Sequence, residues 1–303
     1  MNIRFGLNCW LWGSDYDDLS RSGRLDRNGI ALFQTWILTQ RNLQLGEYHW
    51  SVRTYGNGPR LLIVLHGFGE DGSIFSDWAD PLGDYYTILA PDLPHHGNST
   101  AVPGADYGPQ EVIRVINAIL EDRKDPYALV GHSFGGRILI GIWKQLSRPP
   151  EAVWLLAPDG LATKRMGLVG KLPGSIRKWI AQRIDTGYRG WIRLARRLHR
   201  LGLLDAFSVR YMQHHLSDAS KRRRLMSTWI ALPHFSVNRD QLLRDAREAQ
   251  SPIHLVIGKS DPLIDWELLE DWLKKWPASR LHVLDAGHNL IRAEVAEMIR
   301  QGS

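Results

Sequence analysis

The residues most able to do chemistry lie in Tyr127–Arg137, YALVGHSFGGR. An apolar run, Ala128-Leu129-Val130, ends in Gly131-His132-Ser133-Phe134-Gly135-Gly136, and the stretch from Arg137 to Trp143 reads on as a helix. The pattern G-x-S-x-G between a strand and a helix demands a reversal so sharp that the serine takes strained dihedrals at its tip. Glycine at 131 and 135 removes Cβ atoms that would collide there. The serine oxygen is thereby lifted above the sheet edge, and the Phe134 N–H is aimed at the point where an oxyanion would form. That is the chemistry of attack on a carbonyl, provided that other elements bring a base to Ser133. On its own the pattern also describes an ordinary Gly/Ser turn; the strand before it and the helix after it favour the chemical reading.

The elements that must position this turn follow from periodicity. Tyr48, Trp50 and Val52 alternate with His49, Ser51 and Arg53, which predicts an early antiparallel strand. Leu61–Leu65 reads as a buried strand leading into His66-Gly67-Phe68-Gly69, with a helix predicted near Ile74–Leu82. Tyr86–Ala90 is the next strand, and Gln110–Glu121 has helical spacing through Val112, Ile113, Val115, Ile116, Ile119 and Leu120. Val153–Leu156, Ile253–Ile257 and Leu281–Leu284 read as further strands, with helices around Trp266–Trp276 and Ile291–Arg300. Strands alternating with helices imply an α/β fold, a mostly parallel central sheet with helices on both faces.

Composition sets the bounds. The chain has 303 residues, 44% hydrophobic and 23% charged, enough to bury a full core. A single cysteine, Cys9, excludes an intramolecular disulfide and a cysteine-based metal cluster. No apolar run reaches the ~18 residues of a membrane span, and the first residues lack a signal-peptide core, so the expected location is the cytoplasm. Residues 1–43 show no sustained period and are expected to form a peripheral, poorly ordered arm without chemistry. The net charge of +6 is divided unevenly. Residues 160–250 hold 19 Lys and Arg against 6 Asp and Glu, a local +13, while the rest of the chain carries −7. A strongly basic insert therefore interrupts an acidic body.

Together, His66-Gly67-Phe68-Gly69, Asp92-Leu93-Pro94-His95-His96-Gly97-Asn98-Ser99, Gly131–Gly136, Gly258-Lys259-Ser260-Asp261-Pro262 and Gly287-His288 resemble the α/β-hydrolase fold superfamily, in its serine-nucleophile esterase and lipase-like branch. They occur in that family's order, each after a predicted strand, over about residues 45–158 and 252–300. The resemblance implies an α/β-hydrolase core at 44–159 and 251–303, with a basic helical lid at 160–250. It also implies a Ser133-His288-Asp261 triad. His288, just past the last strand, would reach across the sheet edge as the base, and Asp261 would hold its tautomer. Asp159, after the strand Val153–Leu156, is the competing acid; Asp261 is preferred because the motif around it is fuller. Backbone N–H groups of Phe68 and Phe134 would form the oxyanion hole. His66 reads as a structural hydrogen-bonding residue, and His95 and His96 as braces of their turn. The pairs His95-His96 and His214-His215 lack the spacing and carboxylate companions of a zinc site, so no metal and no cofactor are expected.

In the insert, Trp191, Leu194, Ala195, Leu198 and Leu201 fall on one helical face, and Arg189, Arg193, Arg196, Arg197 and Arg200 cover much of the rest. Two readings follow, a lid helix packed on the core with a solvated basic face or an interfacial helix that meets anionic lipid or an acidic partner. No nucleic-acid recognition motif accompanies the charge. The expected function is hydrolysis of a carboxylic ester or thioester with an apolar acyl or alkyl group, through an acyl-enzyme. The alternatives are a C–C bond (diketone) hydrolase, a cofactor-free haloperoxidase-like activity, or a non-catalytic binding protein on the same scaffold.

Overall fold

The central strands bury both faces, which explains why they read as continuous apolar runs. In β3 (Arg60–Leu65), Leu61, Ile63 and Leu65 enter one core while Leu62 and Val64 enter the other. The same division of alternate side chains holds in β7 (Ala152–Leu156), where Val153 and Leu155 face one layer and Ala152, Trp154 and Leu156 the opposite one. The computed structural model describes residues 39–102, 104–161, 173–204, 206–264 and 266–302.

The remaining strands are β1 (Thr39–Leu45), β2 (Tyr48–Tyr55), β4 (Tyr86–Pro91), β5 (Thr100–Ala101), β6 (Tyr127–His132), β8 (Ile253–Gly258) and β9 (Leu281–Leu284). Among the described residues they form one sheet in the order β1-β2-β4-β3-β6-β7-β8-β9, with β5 paired to β2. β1, β2 and β4 pair antiparallel, and every pairing from β4 to β9 is parallel. In register, Leu65 lies beside Gly131, His132 beside Leu156, and Gly258 beside Leu284. The parallel strands thus end together, and the turns that follow them converge on one edge of the sheet, where open α/β sheets place their sites.

One face is covered by α2 (Pro109–Asp122), α3 (Phe134–Ile142), α7 (Arg239–Glu248) and α8 (Trp266–Leu273), whose buried residues join the core of Leu61, Ile63 and Leu65. The other face carries α1 (Ala79–Leu82) and α9 (Ala293–Gln301), which contribute Ala79, Leu82, Val295, Ala296 and Ile299. The insert between β7 and β8 is helical: α4 (Gly174–Arg200), α5 (Ala206–Ser217) and α6 (Ala219–Ala231) precede α7. No helix among the described residues is long and apolar enough to cross a membrane.

Four expectations need adjustment. The predicted arm falls outside the described residues up to position 38, including Trp10, Trp12 and Trp36. Its last residues, 39–43, belong to β1, paired from Thr39↔Thr54 to Leu45↔Tyr48. The helix expected near Ile74–Leu82 divides into a 3₁₀ segment, Gly72–Trp78, and the short α1. Asp71 caps the first through the Ser73 N–H, and Pro81 has no N–H to continue the α-helical ladder. The last helix begins at Ala293 because Arg292 is extended and Asn289 takes up the Ile291 N–H. Finally, the apolar stripe of α4 is split. Ala195 is buried and Leu198 half-buried, while Trp191, Leu194 and Leu201 are exposed. At 100° per residue the buried Ile192 lies beyond Ala195, so the buried face is rotated towards it and the opposite edge of the stripe, Leu194 and Leu201, stays in water.

Candidate active site

Ser133 sits at the tip of the β6–α3 turn with φ 51° and ψ −113°. This is a region that side-chain-bearing residues rarely occupy. Its N–H donates to Leu156 O at 2.8 Å, and its carbonyl accepts the N–H groups of Arg137 and Asp159. The glycines act by allowing close approach. A Cβ at Gly131 would stand 2.6 Å from Gly135 O, and one at Gly135 would stand 2.2 Å from Leu65 O. The strand, the serine and the helix can therefore meet only in this composition.

β8 and β9 deliver the other two groups. His288 Nε2 is 2.9 Å from Ser133 Oγ, and His288 Nδ1 is 2.7 Å from Asp261 Oδ2. A carboxylate can only accept, so Nδ1 carries a proton, and in the neutral ring Nε2 then presents its lone pair to the serine hydroxyl. The Asp261 side chain is fully buried, and its second oxygen accepts the Leu263 N–H at 2.8 Å. A Cβ on Gly258 would lie 2.3 Å from Gly287 O, so the two loops bearing Asp261 and His288 touch directly. Asp159, the competing acid, instead accepts from Arg137 Nη1 at 3.0 Å.

The turn His66-Gly67-Phe68-Gly69 adjoins Ser133; a Cβ on Gly67 would stand 3.2 Å from Ser133 Cβ. His66 is fully buried, accepts the Leu93 N–H at Nε2 (2.9 Å), and bonds Gly67 O through Nδ1 (2.8 Å). One nitrogen accepts and the other donates, which is the pattern of a neutral ring. Burial pulls its pKa down, in agreement. This histidine ties the turn to Asp92–Ser99. Asp92 in turn accepts Gly72 N–H and Asn98 N–H and pairs with Arg53. His96 bonds Pro94 O at 3.0 Å, and the Ser99 hydroxyl bonds Asp92 O at 2.7 Å. Phe134 is buried at the first position of α3, and the Phe68 ring lies 6.0 Å from His96 and from His215 of the insert.

Three further contacts bring the insert to this edge. Arg137 Nε donates to Phe235 O at 2.7 Å, the Phe134 and Phe235 rings meet edge-on at 5.8 Å, and Arg224 Nη1 donates to Gly69 O at 3.2 Å. A pocket opens beside Ser133, Asp261 and His288, walled by Pro158, Leu161, Ile257, Leu263, Ile264 and Leu269, with Asp159 among its lining. Reading the motifs passes over two residues at the site: Glu70, directly after the turn, and His132, directly before Ser133. They lie 62 positions apart, and only the strand order brings them together.

Comparison with known proteins agrees with this fold. The chain spans about a third of the length of the curated relatives it matches first. One is pimeloyl-[acyl-carrier protein] methyl ester esterase of Vibrio campbellii, 28% identical over 90 residues, covering 30% of this chain and 32% of that protein. The magnesium-chelatase 30 kDa subunit of Rhodobacter capsulatus is 25% identical over 267 residues, 81% of this chain and 86% of that one. Among solved structures, a thermophilic esterase from Thermogutta terrifontis superposes with a TM-score of 0.61 at 16% identity, covering 87% of this chain and 97% of that one. The Alpha/beta hydrolase family matches residues 62–300. The strand order, the turns at its edge and this match together establish that the chain belongs to the alpha/beta hydrolase family.

Proposed function

We infer that the protein is a serine hydrolase that cleaves a carboxylic ester or thioester with an apolar acyl or alkyl group. The observation that carries this reading is the unbroken relay of hydrogen bonds Ser133–His288–Asp261, at 2.9 and 2.7 Å. Ser133 Oγ attacks the substrate carbonyl while His288 Nε2 takes its proton. Asp261 holds the ring in the required tautomer and offsets the charge of the imidazolium that forms. The N–H groups of Phe68 and Phe134 receive the developing oxyanion, with the N-terminus of α3 adding its dipole. His288 then returns the proton to the leaving group, and water, activated in the same way, releases the acyl group. The apolar wall of the pocket supports an apolar substrate group, and the ester-cleaving relative points to the same bond type. The chemistry requires no cofactor.

In this reading residues 160–250 form a lid whose outer helix meets an anionic lipid surface. Leu194 is 45% exposed and Leu201 71%, and both lie on or directly after the part of α4 that follows its kink at Gly187. Arg193, Arg197 and Arg200 stand exposed on the same helix. An apolar edge bordered by arginines suits the boundary between headgroups and acyl chains.

A fluorophosphonate probe tests the reaction class, because it bonds only to an activated serine. Labelling at Ser133, combined with turnover of p-nitrophenyl esters of graded chain length, is the expected result. Turnover of a diketone alone would move the assignment to C–C bond hydrolysis. Absence of labelling and of turnover would leave the scaffold as a binding protein.

A further inference from the structure

The His132 side chain is 2% exposed and lies between two acceptors. Its Nδ1 is 3.1 Å from Glu70 Oε2, and its Nε2 is 3.1 Å from the carbonyl oxygen of His288. That carbonyl cannot donate, and neither can an ionised carboxylate, so with Glu70 ionised the ring is satisfied only with a proton on each nitrogen. The same Glu70 oxygen accepts the Gly67 N–H at 2.7 Å. The result is a buried imidazolium facing a carboxylate. The contrast with His66 is instructive: that ring has a donor on one side and an acceptor on the other, and is neutral. Burial works against the His132 cation, yet Glu70, the His288 carbonyl and the nearby Asp261 outweigh it and raise its pKa. Burial likewise pushes the Glu70 carboxyl up, but His132, His66 and the Gly67 N–H together hold it below the usual value.

We propose that Glu70 and His132 are positioning residues for the hydrolysis, an ion pair that fastens the oxyanion turn to the loop of the catalytic base across the nucleophile. The proposal rests on the serine-hydrolase reading given above. Its path is continuous: Gly67 N–H to Glu70, Glu70 to His132, His132 to the His288 carbonyl, with Ser133 next in sequence to His132. The cluster is also tight. A Cβ on Gly67 would stand 2.7 Å from Glu70 Oε2 and 3.3 Å from His132 Nδ1, and the His132 and His288 ring centroids are 5.2 Å apart. Neither the turn nor the base loop can shift without breaking a charge-assisted bond. A displacement of about 1 Å between reacting groups can cost about 10²-fold in rate, so such a clamp acts on kcat.

The test uses the full chain labelled with nitrogen-15 in its histidines, wild type beside Glu70→Gln. The imidazole nitrogen shifts report whether a ring carries one proton or two, independently of any turnover. At about pH 6.5, the ordinary histidine pKa, His132 of the wild type is expected to be mostly doubly protonated and that of Glu70→Gln mostly singly protonated. Glu70→Gln should lose roughly 10²-fold in kcat on the best p-nitrophenyl ester, with KM changed less than about threefold. A wild-type His132 carrying one proton overturns the proposal without any variant having to fold. So does a Glu70→Gln enzyme whose kcat stays within about threefold of a turning-over wild type, and that outcome leaves the hydrolase reading intact. A wild type that neither cleaves any ester nor labels at Ser133 overturns the hydrolase reading and this role with it.

Discussion

The guanidinium of Arg137 holds the Asp159 carboxylate at 3.0 Å, and this pairing separates the two aspartates that compete for the role of triad acid. Asp159 is spent on a cation from the nucleophile helix, while Asp261 faces His288 at 2.7 Å. Exchanging each aspartate for asparagine should therefore produce two different defects. Asp261→Asn is expected to lower kcat by about 10⁴-fold through loss of tautomer control, with little change in stability. Asp159→Asn should retain most of the rate but lose roughly 3 kcal/mol of stability, because Arg137, only 8% exposed, is left without its counter-charge. Steady-state kinetics and urea midpoints on both variants decide it, and the reverse ranking of kcat would move the acid to Asp159.

Ser133, the nucleophile of the proposed reaction, also has a backbone in a rarely occupied region at φ 51°. Ser133→Ala and Ser133→Gly should both abolish ester turnover, by about 10⁶-fold in kcat. Their stabilities should differ. Alanine keeps the Cβ that makes this region unfavourable, whereas glycine relieves it, so Ser133→Gly is expected to be more stable than Ser133→Ala by about 1 kcal/mol. Equal denaturation midpoints would mean that the turn carries no strain at this residue.

The buried histidines set the acid limit of the fold. Burial holds His66 and His96 below the ordinary value; burial, aided by neighbouring positive groups, pushes His215 and His254 to about 4. A histidine whose folded pKa is lowered takes up its proton only on unfolding, so stability falls as pH drops from about 6.5 towards about 4. His132 works in the opposite sense. Its folded pKa is raised, so its contribution is complete below about 6.5 and is lost as pH rises through the raised value. Glu70, whose pKa is lowered, contributes above its ordinary 4.5 and loses that contribution as pH falls through the lowered value. Urea midpoints should be higher near pH 7 than near pH 5. His254→Phe, which keeps an aromatic ring against Trp154, should flatten that slope. A midpoint that rises on acidification would contradict this account.

The exposed arginines of α4 make the proposed lipid contact testable apart from the proposed chemistry. Replacing Arg193, Arg197 and Arg200 by glutamine should reduce co-sedimentation with anionic vesicles by roughly tenfold or more, at about 1 kcal/mol per basic residue near a charged surface. Hydrolysis of a dispersed short ester should be unchanged. The wild-type binding should also fade with salt, since exposed charges are screened over ~10 Å at 0.1 M ionic strength. Equal sedimentation of both proteins on neutral and anionic vesicles would leave α4 as a solvated face.

The individual strands and helices, the turn at Ser133 and the order of the motifs were legible from residue types alone, because each is local. A strand buried on both faces is mostly apolar, as Leu61–Leu65 is, and a turn with no room for a Cβ must have glycine where Gly131 and Gly135 stand. The same holds for the loops after β8 and β9, whose short patterns around Asp261 and His288 are readable without knowing where they meet. What no local pattern carries is which side chains share a space. The Arg137–Asp159 pair, the split of the α4 stripe and the Glu70–His132 contact all depend on strand order and helix packing. Those follow from burial summed over the whole sheet, which brings together residues that no periodicity in the chain connects.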